Sequence, residues 1–290
     1  MLLTVYSRIP IKTTRKWLGK FTAIVFIALT CCYIYGSKIE PNWIEVGSID
    51  LTIPNLGSAF NNFKIVQISD LHSNYFMPES RLNRIVKLVN QQQPDAIAIT
   101  GDFITRNRRF DDKVLISKFS QLEAKAGIVS IFGNHDHWKA KINRLKQILI
   151  QSQINNLDNQ VYLVERGTQQ LALAGIDDPY WGEPDLQQTI AQLPSNVPAI
   201  LLVHEPDYIE KSALTHRFAL QLSGHSHGGQ IRIPFLDPLI LPLGGRKYFA
   251  GLNQVEDTIL YTSRGLGMTS LPLRFGSRPE ITVFTLHSPI

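Results

Sequence analysis

The polar residues that could carry chemistry in this chain of 290 residues lie just after short apolar runs. Five such runs are each followed directly by aspartate, asparagine or histidine. These side chains bind divalent metal ions, and histidine also transfers protons near neutral pH. The five clusters occupy residues 70–72, 101–102, 133–136, 204–207 and 224–227.

Four histidines, two aspartates and one asparagine from these clusters form a set of nitrogen and oxygen donors without sulfur. Such a set suits Mn, Fe or Zn, whereas Mg and Ca prefer oxygen alone. Seven donors are too many for one ion with an open position, but two ions about 3.5–4 Å apart would use them all if one carboxylate bridged. Two such ions lower the pKa of a shared water and neutralise phosphoryl oxygens, as phosphate ester hydrolysis requires.

The apolar runs alternate with helical stretches in the first part of the chain, which indicates βαβ units and parallel strand pairing. The carboxyl ends of parallel strands share one edge of a sheet, so the clusters should converge there. We interpret residues 41–290 as one α/β domain. Its predicted strands are 63–68, 96–100, 127–132, 161–164, 171–174, 199–203, 218–222, 258–262 and 281–286, and its predicted helices are 81–90, 113–124 and 138–150.

Taken in order, the clusters resemble the motif set of the calcineurin-like metallophosphoesterases. Three later stretches, residues 227–234, 263–267 and 274–281, resemble the membrane-linked branch of that family, which carries an N-terminal hydrophobic segment. The resemblance implies a four-layer α/β/β/α sandwich of two mixed sheets, preceded by one transmembrane helix. The residues that carry the motif set are Asp70-x-His72, Gly101-Asp102, Gly133-Asn134-His135-Asp136, His204 and Gly224-His225-x-His227.

The same resemblance implies two divalent ions, Mn, Fe or Zn, and their ligands. The implied activity is hydrolysis of phosphodiester or pyrophosphate bonds by a hydroxide that bridges the ions. The first ion would be held by Asp70, His72 and His227, the second by Asn134, His204 and His225, and Asp102 would bridge them.

Residues beside these ligands are given further roles. His135 follows a ligand directly, and we assign it to proton transfer, either to stabilise a phosphoryl oxygen or to protonate the leaving group. Asp136 would orient His135 or cap the following helix, and His137 is expected to face solvent or Asp136. Arg264 and Arg274 are candidate clamps for the substrate phosphate.

The formal net charge of +5 is concentrated at the N-terminus. Residues 1–20 contain five basic side chains and no acidic one, which leaves 24 basic and 24 acidic residues in the remainder. A neutral body lacks the broad positive surface of a nucleic-acid binder, so nucleic acid is not an expected partner.

Residues 21–37 carry no charge and lie between Lys20 and Lys38, so they predict a transmembrane signal anchor. The basic tail, residues 1–20, would remain in the cytoplasm, and the catalytic domain would lie on the non-cytoplasmic side of the cell membrane. A buried core helix and a cleaved export signal of degraded twin-arginine type are the alternatives. Both cysteines, Cys31 and Cys32, belong to this segment, so the body has no thiolate chemistry.

Membrane tethering favours a small-molecule or lipid-linked phosphate ester as the substrate. Thr105 stands where purple acid phosphatases have tyrosine and protein Ser/Thr phosphatases have aspartate, so both subclasses are disfavoured. The resembling branch implies a substrate like UDP-2,3-diacylglucosamine, and a phospholipid is an equal alternative. Phosphomonoester hydrolysis and a catalytically silent membrane-anchored metal-binding scaffold are the remaining alternatives.

One loop is predicted to face the substrate, and a set of apolar residues is a candidate for contact with lipid. Residues 177–181 combine acidic and aromatic side chains. Apolar residues near the C-terminus would form either a lipid-facing lip or part of the core: Leu239, Leu241, Leu243, Leu266, Met268, Leu271 and Leu273.

Overall fold

The computed structural model describes residues 11–106, 108–138, 141–233, 235–238 and 240–289, in which twelve strands form two sheets. Leu239, part of the predicted lip, lies outside the described residues. The strands are β1 (Glu45–Thr52), β2 (Phe63–Ile68), β3 (Ala96–Thr100), β4 (Ile128–Ile131), β5 (Asn155–Asn156), β6 (Gln160–Arg166), β7 (Gln169–Gly175), β8 (Ala199–Leu202), β9 (Leu220–Ser223), β10 (Gly251–Val255), β11 (Thr258–Thr262) and β12 (Glu280–His287).

Both sheets are mixed, with parallel strands at their centres. The first has the order β1-β12-β2-β3-β4-β5, and the second has the order β10-β11-β9-β8-β7-β6. Strands β2, β3 and β4 are mutually parallel, as are β7, β8 and β9. The parallel strands are continuous runs of buried residues, as expected when both faces of a sheet are covered. Each sheet therefore presents several strand ends at one edge.

The sheets face each other across a central apolar core. Ile65, Ala98 and Val129 of the first sheet pack there with residues such as Ile200 and Leu222 of the second. The resulting order of layers, helices, sheet, sheet and helices, confirms the predicted sandwich.

Helices cover the outer faces of both sheets. On the first sheet, α2 (Glu79–Asn90), α3 (Asp112–Phe119) and α4 (Ile142–Gln151) bury apolar residues against β2 and β3. Leu82, Ile85, Val86 and Val89 show the helical spacing that places one face of α2 in this core. The second sheet carries the short helices α5 (Leu186–Ala191) and α6 (Ile209–Ser212).

The N-terminal helix is continuous with the catalytic domain. Helix α1 (Ile11–Ile34) continues through a wider turn, residues 35–39, and a tighter turn, residues 40–42, into β1. Lys16–Asn42 is long and apolar enough to cross a membrane, with a mean hydropathy of 1.8. Side chains are exposed from Lys16 to Ile34, whereas Gly36 and Glu40 are buried against the domain. The expectation of one N-terminal membrane helix candidate is confirmed.

Candidate dinuclear metal centre

The five polar clusters converge at one edge of the two sheets. They follow β2, β3, β4, β8 and β9, and backbone hydrogen bonds join them: the amide of Asp70 donates to Gly101, that of His72 to Asp102, and that of Gly224 to His204. The convergence of the clusters follows from the parallel pairing, as the strand pattern predicted.

Five of the seven predicted ligands adopt left-handed backbone conformations, with φ between 45° and 71°. Such conformations are uncommon outside glycine and cost free energy, and they concentrate at functional sites. Here they turn each side chain away from its strand and toward its neighbours. The five ligands are Asp70, His72, Asp102, His225 and His227.

The first predicted ligand group is assembled around two imidazoles. The Nε2 atoms of His72 and His227 lie 2.9 Å apart. Oδ1 of Asp70 is 3.4 Å from Nε2 of His227 and 3.9 Å from Nε2 of His72. All three side chains are buried. Two imidazole nitrogens and a carboxylate oxygen at these distances surround one point, which suits a cation.

In the second group, backbone carbonyls orient the histidines. Nδ1 of His204 lies 2.7 Å from the Thr100 carbonyl, and Nε2 of His225 lies 2.9 Å from the Leu243 carbonyl. A neutral imidazole that donates to a carbonyl leaves its other nitrogen as a lone-pair donor. For His225 that other nitrogen, Nδ1, lies 3.1 Å from Oδ1 of Asn134.

Asp102 lies between the two groups. Its Oδ2 is 3.4 Å from Nε2 of His72 and 3.3 Å from Nε2 of His204. Its Oδ1 accepts a hydrogen bond of 2.8 Å from the amide of His135. One carboxylate thus contacts a histidine from each predicted group, and this position suits the bridging role.

Burial keeps most of the ligand histidines neutral. It lowers the pKa of His72 to about 3 and that of His225 to about 4, and it places the pKa of His227 well below its usual range. For Asp102, burial alone would raise the pKa, but His204 and His135 outweigh it and hold the pKa well below its usual range. Neutral imidazoles and an ionised carboxylate are the protonation states that bind metal ions. His204 differs, because burial would lower its pKa but the neighbouring Asp102 carboxylate outweighs that effect and raises the pKa of His204 well above its usual value.

The residues present therefore fit a pair of divalent ions. Nε2 of His204 is fully buried and makes no regular hydrogen bond among the described residues, and its polar contact is Oδ2 of Asp102 at 3.3 Å. Nitrogen and oxygen donors around a shared carboxylate match Mn, Fe or Zn by donor chemistry.

His135 lies at the edge of the ligand cluster, where it was predicted. Its ring packs edge-on to His72, with centroids 4.8 Å apart, and its Nδ1 accepts a hydrogen bond of 3.2 Å from the amide of Arg106. In the neutral ring this contact places the proton on Nε2. His135 can therefore donate a hydrogen bond or a proton from Nε2.

Asp136 has contacts that match neither predicted role. Its buried carboxylate accepts hydrogen bonds of 3.1–3.2 Å from the amides of Phe103, Ile104 and Gly133. It thereby fixes the loops after β3 and β4, which carry Asp102 and the 133–136 cluster. These contacts support a positioning role, exerted through the backbone.

His137 faces neither solvent nor Asp136, contrary to the sequence-based expectation. Its Nε2 lies 2.7 Å from Oδ1 of Asp177. The two atoms do not align as a regular hydrogen bond, so the contact is chiefly Coulombic. It links the loop after β4 to residues 177–181, the predicted substrate-facing loop.

The two predicted phosphate clamps contact protein groups instead of the cavity. The guanidinium of Arg274 is fully buried and donates to the carbonyls of Arg264, Gly265, Gly267 and Ser277. Arg264 pairs with Glu280 and lies 3.3 Å from Glu45. These contacts support a structural role for both arginines, and a role in phosphate binding stays a prediction.

Sequence reasoning missed two features of the site. Glu205 is buried beside His204, and Oε1 of Glu205 lies 3.9 Å from Nδ1 of His225. The guanidinium of Arg106 packs over Trp138 and Trp181, 4.7 Å and 4.1 Å from the ring centroids. The adjacency of Glu205 to a predicted ligand was a usable signal, whereas nothing in the spacing indicates the Arg106 contacts.

A cavity of about 310 Å³ opens over the ligands. Its floor includes Asp102, His135 and His225, and its mouth includes the apolar side chains of Ile240 and Leu271. Of the predicted lip, Leu266 and Met268 are buried in the core, whereas Leu243 and Leu271 are exposed.

Comparison with known proteins identifies the class of this chain. Residues 63–229, more than half of the chain, match the calcineurin-like phosphoesterase family, so the chain belongs to that family. Its members hydrolyse phosphate esters, and the protein is accordingly a hydrolase.

Three similar proteins cover nearly the whole chain. The uncharacterized metallophosphoesterase YkuE of Bacillus subtilis is 39% identical, over 93% of this chain and 96% of its own length. The phosphodiesterase YaeI of Escherichia coli is 30% identical, over 90% and 94%. The UDP-2,3-diacylglucosamine pyrophosphatase LpxG of Chlamydia muridarum is 27% identical, over 92% and 97%.

Proposed function

We propose that this protein is a membrane-anchored dinuclear metal phosphoesterase that cleaves phosphodiester or pyrophosphate bonds. The observation that carries the proposal is the position of Asp102 between two buried ligand groups at the floor of a cavity that also contains His135. The arrangement supports the assignment of Asp70, His72 and His227 to one ion and of Asn134, His204 and His225 to the other.

The bound ions, His135 and Asp136 would have different roles in the reaction. Two bound ions would activate water and neutralise the charge that develops on the phosphoryl oxygens. His135, with its proton on Nε2, donates to a phosphoryl oxygen or to the leaving group. Asp136 holds the backbone amides of Phe103, Ile104 and Gly133, and so keeps the ligand loops at a fixed separation.

The exposed apolar helix supports membrane anchoring. From Lys16 to Ile34 the helix rises about 28 Å, close to the ~30 Å thickness of the hydrocarbon layer. Tyr35 and Gly36, which fall within the predicted anchor 21–37, contact the catalytic domain, so we place the end of the lipid-exposed part at Ile34. The basic residues before the helix favour a cytoplasmic N-terminus and a non-cytoplasmic domain.

A lipid-linked phosphodiester or pyrophosphate is the proposed substrate class. Two relatives support it, since one is named a phosphodiesterase and another a pyrophosphatase of a diacylated nucleotide sugar. The cavity supports it as well, because a polar floor and an apolar mouth suit a molecule with a phosphate group and an acyl chain.

The test uses the full chain, purified in detergent, freed of metal and reloaded with Mn, Fe or Zn. Hydrolysis of bis-p-nitrophenyl phosphate is compared with hydrolysis of p-nitrophenyl phosphate. We expect faster diester hydrolysis that is lost in Asp102→Asn and His225→Ala and kept in His216→Ala, an exposed histidine paired with Asp257.

Other results would revise the proposal. A preference for the monoester would replace the substrate class with phosphomonoesters. Binding of two ions without hydrolysis of either ester would favour the scaffold alternative, and failure to bind ions would contradict the ligand assignment.

A further inference from the structure

The anchor helix is locked to the catalytic domain without a flexible linker. The amide of Arg274 donates to the Gly36 carbonyl at 2.9 Å, and Tyr35 packs edge-on against Phe275. The buried carboxylate of Glu40 accepts hydrogen bonds from the amides of Gly276 and Ser277, at 3.0 Å and 2.6 Å. Residues 273–277 therefore contact the chain directly after the exposed part of the helix.

The same segment supports one wall of the cavity. The amide of Arg232 donates to the Phe275 carbonyl at 2.6 Å, and the amide of Phe275 donates to Gln230 at 3.0 Å. The Gln230 side chain in turn donates to the carbonyls of Thr269 and Leu271. Since Gln230 and Leu271 line the cavity, the cavity mouth adjoins the emerging helix.

Exposed apolar side chains lie in the segments that form or adjoin this wall. We define the apolar rim as Ile233, Phe235, Leu236, Ile240 and Leu271. Phe235 is fully exposed and Ile240 is 79% exposed. A monomeric soluble surface seldom exposes so many large apolar side chains in adjacent segments, so the rim indicates a contact surface.

We propose that the apolar rim enters the interfacial layer of the bilayer that α1 spans, and that an amphiphilic phosphodiester passes from this leaflet directly into the cavity. Continuity with the helix favours a bilayer as the occupant, because residues 230–232 and the end of the helix both contact residues 273–277. A rigid junction at Gly36 and Glu40 holds these segments at the level where the helix emerges. The entry route rests on the proposed function, whereas the position of the rim does not.

The rim's polar neighbours fit an interfacial position. Arg232 lies beside the rim, and Arg278 packs over Trp43 at 3.6 Å from the ring centroid. Tryptophan and arginine are side chains that favour the boundary between lipid and water. Trp43 follows the last turn of the anchor, so this pair marks the same level of the molecule.

A position-specific fluorescence experiment tests the location of the rim. In the full chain with Cys31→Ser and Cys32→Ser, a polarity-sensitive fluorophore is attached at Phe235→Cys, and the protein is reconstituted into phosphatidylcholine–phosphatidylglycerol vesicles. The matched control is Ile150→Cys, an exposed apolar position near the end of α4. Because β5 pairs in parallel with β4, α4 must end at the sheet edge opposite the site.

We expect a blue shift and quenching by spin-labelled lipid at position 235, with neither effect at position 150. Equal emission and equal quenching at the two positions would overturn the proposal. A blue shift at 235 without quenching by spin-labelled lipid would also overturn it, because a protein surface would then be the occupant.

A kinetic experiment tests the entry route. The double variant Phe235→Ser/Leu236→Ser should hydrolyse a vesicle-borne phosphodiester at least about tenfold more slowly, because its rim inserts less well into the bilayer. Its hydrolysis of bis-p-nitrophenyl phosphate in solution should not fall, and Ile150→Ser should affect neither substrate. An equal loss on both substrates would overturn the entry route. If position 235 is embedded in lipid but the protein hydrolyses no phosphate ester, the proposed function is refuted. The proposed position of the rim is then still supported.

Discussion

At the scale of single residues, His135 is the side chain whose contacts define a chemical role most sharply. The Arg106 amide occupies its Nδ1, so the neutral ring carries its proton on Nε2. We expect His135→Asn to lower kcat by about 10²–10⁴-fold on esters with a poor leaving group, because general acid catalysis supplies that range. The loss should be much smaller for p-nitrophenyl esters, whose leaving group needs no proton.

The measurement for His135 compares kcat for an alkyl and a p-nitrophenyl diester, with metal content determined in parallel. His216→Asn serves as the control, since His216 is exposed and pairs with Asp257. An equal loss on the two esters at full metal content would contradict a role in leaving-group protonation.

Gly133 permits two candidate ligands, Asp102 and His204, to approach the backbone. A Cβ atom at this position would lie 2.5 Å from Oδ1 of Asp102 and 2.7 Å from Nε2 of His204. We expect Gly133→Ala to displace both side chains and to reduce bound metal by at least half, as metal analysis after dialysis would show. Gly47→Ala is the control, because its added Cβ would meet nothing within 4 Å. Retention of two ions by Gly133→Ala would contradict the packing argument.

The convergence of the seven candidate ligands could be predicted from the sequence, because residue type and chain order both point to it. The orientation of their side chains could not be predicted. Thr100 and Leu243 act on His204 and His225 through backbone carbonyls, which any residue type supplies. The structural contacts of Arg264 and Arg274 could not be predicted for a related reason. Their partners are backbone carbonyls and acidic side chains that come close only in the folded chain.

At the scale of elements, the central strands were predictable, whereas the edge strands β1 and β10 were not. Strands β3 and β8 are short, wholly apolar or nearly so, and buried on both faces. Strands β1 and β10 lie at sheet edges with most of their side chains partly exposed, so they lack a clear apolar pattern and were missed. Helix α3 ends at Phe119, earlier than the predicted residue 124.

The contact between His137 and Asp177 ties two loops of the site together and should make stability depend on pH. Burial lowers the pKa of His137, but Asp177 outweighs it and raises the pKa above its usual value. A raised pKa means that the contribution is complete below the unfolded pKa of about 6.5 and is lost as pH rises through the folded pKa. The contribution should stay below about 1 kcal/mol, because the pair is partly exposed.

We therefore expect the Tm difference between the wild type and His137→Gln to be larger at pH 6 than at pH 9. Differential scanning fluorimetry of the metal-loaded full chain at both pH values measures it. The variant Asp177→Asn should show the same trend. A difference that grows with pH would have the wrong sign for this pair.

At the scale of the whole molecule, the junction between anchor and domain is part of the fold. The sequence predicted a boundary near residues 37–41, because charge and hydropathy change there. The structure instead buries Gly36 and Glu40 under residues 273–277, more than 230 positions later in the chain. A local pattern cannot report a contact of that separation, so the apparent linker is a packed joint.

Substitution of Glu40 tests whether the packed junction between the anchor helix and residues 273–277 supports the candidate metal site. Glu40→Ala leaves the amides of Gly276 and Ser277 without their acceptor, which costs about 1–3 kcal/mol for a buried donor. Arg274, in the same segment, donates to the carbonyls of Gly265 and Gly267 and lies 3.4 Å from Nδ1 of His227.

We expect faster hydrogen exchange in residues 273–278 of Glu40→Ala, together with weaker metal retention, because the loosened segment no longer fixes His227. Exchange measured by mass spectrometry on the reconstituted full chain would report both the site and the extent of the change. Glu123→Ala, at an exposed position, provides the control. Unchanged exchange in residues 273–278 would show that the joint does not depend on Glu40. Faster exchange with normal metal retention would show that the joint and the metal centre are energetically separate.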